Sequence, residues 1–266
     1  ESIAVCLLHS YANPVHERVL GEALSAVFPY VSLSSEVNAE FREYERALTT
    51  VLNAYLMPVV GRFLSHLDND LVGLEARLHL VQSNGGMMSA TSVRQRPLNL
   101  VMSGPAAGAS AVCALSLNQE FTRALALDMG GTTTDVCLVE NGRGELMAQR
   151  TIAGQPFRLR SVAVESIGAG GGSQAWTDEV GALHVGPQSA GAHPGPACYG
   201  LGGMEPTLTD ANLLLGYLNP DAVLGGTIRL NRNKAEEAVG RLSKKLDMTV
   251  TEAARGIVAI AEANVL

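Results

Sequence analysis

The sequence is short of cysteine, of aromatic residues and of any run of positive charge, and these shortages close off whole classes of protein. Four cysteines, Cys6, Cys113, Cys137 and Cys198, lie far apart and form no CxxC pair. They are expected to be reduced core thiols of a cytoplasmic protein rather than a disulfide framework or a paired-cysteine metal site. The net charge is -7 with no Lys/Arg cluster, which argues against nucleic acid and anionic membranes as partners. No stretch of about 18 uncharged apolar residues, the length of a membrane span, is present. The opening Glu1-Ser2-Ile3-Ala4-Val5-Cys6-Leu7-Leu8 has neither a basic leader nor a cleavage site and reads as a strand entered midway.

What the chain does have is apolar mass, 47% of 266 residues, enough for one large domain or two modest ones. Its most informative stretch is Leu125-Ala126-Leu127-Asp128-Met129-Gly130-Gly131-Thr132-Thr133-Thr134-Asp135-Val136-Cys137-Leu138-Val139. An apolar run ends in a carboxylate, two glycines and three hydroxyls, then resumes toward Asn141-Gly142. The pattern predicts strand, tight turn, strand. Glycines bring backbone N–H groups close to an anion, threonines add hydroxyl donors, and Asp128 at the strand end suits a hydrated cation such as Mg²⁺. The plain alternative is a Gly-rich hairpin tip. Two carboxylates and three hydroxyls within eight residues favour the phosphate cradle.

The remaining chain reads as alternating elements. A helix is predicted from Val15 to Val27 with Val15, Val19, Leu20, Ala23 and Val27 on its inner face, and a strand at Val31–Ser34. Asn38 is expected to cap a long helix carrying Leu48, Val51, Leu52, Tyr55, Leu56, Val59, Val60, Phe63, Leu64 and Leu67 inward, with a kink at Pro58. A strand at Leu78–Val81 runs into the turn Gln82-Ser83-Asn84-Gly85-Gly86, which is able to approach a ligand. In the helix Pro105–Leu117 the small residues Gly104, Ala107, Gly108 and Ala111 share one stripe, either a sliding surface or a tightly packed core face. Gly144–Ile152 and Arg158–Ile167 are expected to complete a three-stranded meander after the hairpin. Gly168-Ala169-Gly170-Gly171-Gly172-Ser173 is expected to open a helix with exposed N–H groups. The Gly/Pro-dense section 186–203 reads as a packed loop. His193, Cys198 and Asp210 match no compact metal-ligand spacing. Three short helices close the chain, the first opened by Thr209-Asp210-Ala211-Asn212. The other two carry capping-box patterns at Asn233/Glu236 and Thr249/Glu252, and the last directs Val250, Ala253, Ala254, Ile257, Val258 and Ala261 inward.

Asp-x-Gly-Gly-Thr-Thr-Thr-Asp after an apolar strand resembles the phosphate hairpin of the actin, sugar kinase and chaperone ATPase superfamily. Ser103-Gly104-Pro105-Ala106-Ala107-Gly108-Ala109 resembles the small-residue connecting helix that precedes it. With His9-Ser10-Tyr11, Gln82-Ser83-Asn84-Gly85-Gly86, Ile167–Ser173 and Ser189–Gly200, the chain resembles the A-type subunit of the hydantoinase and 5-oxoprolinase family, from about residue 5 onward. That family usually carries Asp where His193 stands here. The resemblance implies an α/β fold of the ribonuclease-H-like, actin-like ATPase type with two lobes, of which this chain covers only the central part. Residues 1–100 would end the first lobe and 101–266 form most of the second.

By the same resemblance the function is ATP-dependent opening of a cyclic amide ring, hydantoin or 5-oxoproline, with a B-type subunit or domain as partner and an oligomeric enzyme. Asp128 and Asp135 are the catalytic candidates, with Asp128 facing Mg²⁺. Gly130, Gly131, Thr132, Thr133 and Thr134 are expected to hold phosphate oxygens of ATP, with Gly170, Gly171 and Gly172 as a second anion-binding turn. Two rival readings remain: an ATP-dependent ketone carboxylase subunit, and a non-catalytic actin-like nucleotide-binding module.

Overall fold

The computed structural model describes residues 1–74 and 77–266, which form two compact units: 1–126 with 137–164, and 127–136 with 165–266. This division differs from a boundary at residue 100, because residues 137–164 pack with the first unit.

In the first unit, strand β1 (Ser2–Val5) is followed by helix α1 (Val15–Ser25) and by β2 (Tyr30–Leu33), which pairs with β1 in parallel. A single turn, α2 (Ser34–Val37), precedes the 28-residue helix α3 (Glu43–Asp70), which runs on through Pro58. Asn38 ends α2 instead of opening α3, whose N-cap is Arg42. The inner faces of α1 and α3 also differ from expectation. Helix α1 buries Glu17 and Gly21 while Val15, Val19, Leu20 and Val27 are exposed. Helix α3 buries Arg46, Thr49, Thr50, Asn53, Ala54, Gly61 and Leu64, and leaves Val51, Tyr55, Val59 and Phe63 more than half exposed. Apolar periodicity located both helices and, in α3, the side of Leu48, Leu52, Leu56 and Leu64 that packs inward, but it missed the face of each helix that meets polar groups of the loop after β1, of β2 and of α2.

Those groups form a buried network. The Glu17 carboxylate accepts from the Leu7 N–H (2.8 Å), the Ser34 hydroxyl (2.6 Å) and the Ser35 N–H (2.8 Å). Arg46 donates to Ser10 Oγ (2.9 Å) and to the Leu7 carbonyl (2.8 Å), and Ser10 and Ser34 share a bond of 3.0 Å. Burial alone would raise the Glu17 pKa, but the Ser34 hydroxyl and the two N–H groups outweigh it and hold the carboxyl below its ordinary range. Helix α3 is long and apolar enough, by length and composition, to cross a membrane. Its Arg46–Asn53 face is nevertheless spent on this interior network and on neighbouring strands.

The hairpin β3 (His79–Val81) and β4 (Met87–Ser89) follows, then α4 (Ala90–Gln95), a 3₁₀ turn at Pro97–Leu100 and α5 (Ser103–Asn118). Helix α5 buries Ala106, Ala109 and Ser116. Its Gly104 and Ala111 are exposed, and a methyl group added at Gly104 or Gly108 meets no atom within 4 Å. The small-residue stripe therefore faces open space and is neither a sliding contact nor a core face in this structure.

Strands β5 (Arg123–Met129) and β6 (Thr134–Glu140) form the expected hairpin, and β7 (Arg143–Gly144) turns back onto β6 through Asn141-Gly142, both with positive φ as a two-residue turn requires. Of β5 only Ala126 is buried, so this is an open strand and not the buried one expected. Among the described residues, strands β8 (Leu146–Ile152) and β9 (Gln155–Val162) pair only with each other. The expected meander is thus replaced by a separate ribbon. Its Phe157 and Leu159 pack on Leu48, Leu52, Leu56 and Leu98, and Thr49 accepts a 2.8 Å bond from the Arg158 N–H.

The second unit contains the hairpin tip and β10 (Glu165–Ile167), which pairs with β6 at Thr134–Val136. The glycine-rich run does not open a helix; it leads into β11 (Ser173–Thr177), paired with β12 (Leu183–Ser189). Helix α6 (Leu208–Leu214) opens with a Thr207/Asp210 capping box, one turn feature earlier than expected. After the small hairpin β13 (Val223–Leu224) and β14 (Ile228–Arg229) come α7 (Arg232–Lys245) and α8 (Val250–Val265). The α7 cap is Asn231, not Asn233, whereas the Thr249/Glu252 box of α8 is present as expected. Here periodicity chose the right face. Ala253, Ala254, Ile257 and Ala261 meet Ala175, Val185, Leu208, Ala211, Val239 and Leu242 in one apolar core.

Candidate active site

The hairpin tip is a tight turn closed by a 2.9 Å bond from the Gly130 N–H to the Thr133 carbonyl. Gly131 and Thr132 are exposed, and the N–H groups of Gly131, Thr132 and Thr133 make no hydrogen bond among the described residues. A bare turn of this kind concentrates partial positive charge and suits an anion. Asp128, two residues before the turn, is exposed, and its carboxylate has no hydrogen bond or ion pair among the described residues. Leu127 and Met129 alternate with it on the opposite face of β5. There they line an apolar cleft of about 430 Å³ with Leu208, Val258 and Ala261. The cleft and the Asp128 carboxylate thus belong to opposite sides of the strand.

Two expected ligand groups are already engaged. Thr134 is fully buried and its hydroxyl donates to the Ala169 carbonyl at 2.6 Å, so it anchors the turn and cannot reach a phosphate. Asp135 accepts from the Ser166 hydroxyl, its neighbour across the β6–β10 pair. That bond fixes strand pairing at the base of the turn.

The glycine run is brought to the hairpin, but as a support. The N–H groups of Gly171 and Gly172 donate to the carbonyls of Gly130 (2.9 Å) and Gly131 (2.6 Å), and the Gly170 N–H donates to Ser173 Oγ (2.9 Å). A methyl group on Gly170 would lie 2.7–2.8 Å from backbone atoms of Gly131 and Thr132, and one on Gly172 would lie 2.8 Å from the Gly131 oxygen. Only glycine permits two backbones to approach this closely. Gly171 and Gly172 therefore spend their donors on the turn itself, and Gly170 spends its own on Ser173.

Three residues missed in the sequence complete this arrangement. Thr209 donates both its N–H (2.8 Å) and its hydroxyl (2.7 Å) to the Gly171 carbonyl, and Ser189 Oγ donates to the Gly131 carbonyl at 3.4 Å. Asp210, wholly buried, accepts from the N–H groups of Ala197, Cys198 and Thr207 and from the Thr207 hydroxyl at 2.8–3.3 Å. It ties the Gly/Pro-dense loop to the start of α6. The only advance signal was the Thr-Asp pair, which reads as a helix start in sequence and as a hub in three dimensions. Burial, and then the Asp210 charge beside it, raise the Cys198 thiol far above its ordinary range, so it is an inert core thiol. No group of three His, Cys, Asp or Glu side chains among the described residues is placed to hold a metal.

An open Gly-Gly-Thr turn at a hairpin tip, shored up by a second glycine run, defines an α/β protein with a preformed anion-approach loop. A hydantoinase/oxoprolinase sequence profile matches residues 46–266, and the chain belongs to that family. It is 40% identical over 265 residues to caprolactamase subunit alpha of Pseudomonas jessenii, covering 98% of this chain and 38% of that protein. It is 36% identical to 5-oxoprolinase 1 of Arabidopsis thaliana, covering 97% of this chain and 22% of that protein. The crystal structure of ATP-dependent caprolactamase from P. jessenii superposes with a TM-score of 0.76 at 39% identity, over 99% of this chain and 39% of that one. Nucleotide-free acetone carboxylase superposes with a TM-score of 0.79 at 28% identity, over 97% of this chain and 38% of that one. The chain thus spans about two fifths of the caprolactamase it matches.

Proposed function

We propose that the protein containing this chain is a subunit of an ATP-dependent cyclic amide hydrolase. The observation that carries the reading is the exposed turn Gly130–Thr133 beside the unengaged Asp128 carboxylate, in a chain 40% identical to a caprolactamase subunit. The residues present fit ATP and Mg²⁺: among the described residues Asp128 is an exposed anion without a partner, and Gly131, Thr132 and Thr133 offer unspent N–H donors. Asp128 would hold Mg²⁺ through water, and the turn would hold phosphate oxygens. ATP supplies the phosphoryl group that converts an amide oxygen into a leaving group. The chain's own contribution is to fix the turn before any ligand arrives, through Thr134, Gly170–Gly172 and Thr209, so that little reorganisation is needed on binding. Asp135 acts as a positioning residue through Ser166.

The reading includes an actin-like architecture of two lobes and a B-type partner subunit, the latter supported by the relative's being a subunit. It also includes an oligomeric enzyme in the cytoplasm, consistent with four free thiols. Likeness to acetone carboxylase favours one alternative, carboxylation of a ketone.

The test uses the full-length protein with its partner. Asp128→Asn should preserve the melting temperature and lower Mg²⁺-dependent ATP hydrolysis by roughly two orders of magnitude, a few kcal/mol of barrier. Near-normal turnover would remove Asp128 from the reaction. Ring opening of caprolactam or 5-oxoproline without bicarbonate supports the amidase, and bicarbonate-dependent consumption of a ketone supports the carboxylase.

A further inference from the structure

All four cysteines are free thiols, and two of them converge inside the first unit. Cys113 lies on α5 and Cys137 on β6. On α5, Ala106, Ala109 and Cys113 follow one another at the i, i+3, i+7 spacing of a single helix face, and the two alanines are buried against Ala126, Cys137, Val162 and Val164. Cys113 faces the same sheet one turn further along. What lets the thiols meet is a residue without a side chain. A methyl group on Gly144 of β7, the strand beside β6, would lie 3.6 Å from Cys137 Sγ and 4.0 Å from Cys113 Sγ. One turn later on α5, Leu117 fills a similar vacancy at Gly142, where a methyl group would collide with its Cγ. The two glycines admit the helix close to the β6–β7 turn, and the space at Gly144 is shared by the two sulfurs.

The thiols differ in access. Cys137 is 4% exposed and its Sγ donates a weak bond to the Leu138 carbonyl at 3.6 Å, while Cys113 is half-buried. Burial, and then the neighbouring Cys113, raise the Cys137 thiol above its ordinary range, so it stays protonated and inert toward an oxidant in solution. An accessible thiol beside a shielded one is the arrangement in which the first is oxidised and the second resolves it.

We infer that Cys113 and Cys137 form a peroxide-responsive pair whose disulfide ties α5 to β6, the second strand of the β5–β6 hairpin. Hydrogen peroxide transfers one oxygen atom to Cys113 Sγ, giving a sulfenic acid and one water. Cys137 Sγ then attacks Cys113 Sγ: the S–S bond forms as the S–O bond breaks, and the hydroxide leaves as a second water with the Cys137 proton. Two thiols are oxidised and one peroxide is reduced to two waters. A thiol reductant reverses the step by exchange. The pair lies wholly within the first unit, and nothing in it depends on ATP chemistry.

The test treats the full-length protein with hydrogen peroxide under native conditions, then blocks free thiols and maps the peptides. The expected product is a linked Cys113–Cys137 peptide, two hydrogens lighter than the reduced pair, which dithiothreitol reverses. Hydrogen exchange should slow in α5 and β6 of the oxidised protein and stay unchanged in α8. Cys113→Ser should abolish the link and leave Cys137 reduced, whereas Cys137→Ala should drive Cys113 on to sulfinic acid, because its resolving thiol is gone. Both thiols unchanged in the native unsubstituted protein, a disulfide from either one to another cysteine, sulfinic acid at Cys113 without the link, a link formed only in denaturant, or unaltered exchange in α5 would each overturn the inference. The decisive mapping is made on the unsubstituted protein, so instability of a variant does not obscure it.

Discussion

The two units contain interiors built in opposite ways, one around α8 in the second and one beside the N-terminal half of α3 in the first. The second buries Ala, Val, Leu and Ile side chains from β11, β12, α6, α7 and α8 around Ile257. The first places Glu17, Arg46, Thr49, Thr50, Asn53, Ser10, Ser32 and Ser34 inside, and leaves Val51, Tyr55, Val59 and Phe63 outside. An apolar core is tolerant, since shape errors cost in proportion to volume. A polar interior fails abruptly, because one missing member strands the others without partners. The first unit should therefore be more specific in geometry and more fragile.

That contrast is open to direct attack. Arg46→Ala should have the largest effect, about 3–5 kcal/mol, since it strips Ser10 and the Leu7 carbonyl of their donor; hydrogen exchange should show the loss in α3 and not in α8. Ile257→Ala should cost about 2–5 kcal/mol, localised to α8. If Arg46→Ala costs less than Ile257→Ala, the claim of greater fragility falls. Acid sharpens the comparison. Glu17 has a folded pKa below its ordinary 4.5, so its contribution is present above that pH and is lost as pH falls through the folded value. Protection in α3 should decline before that in α8 on acidification, and Glu17→Gln should abolish the difference.

Smaller effects follow at the glycines. Gly170→Ala forces a methyl group against the Gly131 and Thr132 backbone. It should destabilise the second unit by about 1–3 kcal/mol and impair nucleotide binding, measured by calorimetry. Gly108→Ala meets no neighbour within 4 Å, and should stabilise α5 by up to about 1 kcal/mol through helix propensity alone; thermal melts of the pair separate these two kinds of glycine.

The same contrast explains what could be read in advance. Helices α3, α5 and α8, the β5–β6 hairpin and the Thr249 cap were legible because they depend on local pattern. The inner face of α1 and the polar part of that of α3 were not. Which face is buried depends on a partner made of Ser10 after β1, Ser32 in β2, Ser34 in α2 and Glu17 on α1, to which hydrophobic periodicity has no access. At the candidate site, Asp128, Gly130, Gly131 and Thr132 are exposed. The burial of Thr134 and the redirection of Gly170–Gly172 onto the turn were not legible, because both arise from residues about 35 positions apart in the chain meeting backbone to backbone.

That seam also sets an order of events. A two-residue hairpin closes from local contacts alone, but the bonds from Gly171 and Gly172 to Gly130 and Gly131, and from Thr209 to Gly171, require loops of about forty residues to close first. The turn therefore acquires its ligand-ready shape late, after β11 and α6 have docked. A nascent or partly unfolded chain carries the turn without its backbone support, and the turn transplanted alone onto another hairpin would lack it as well.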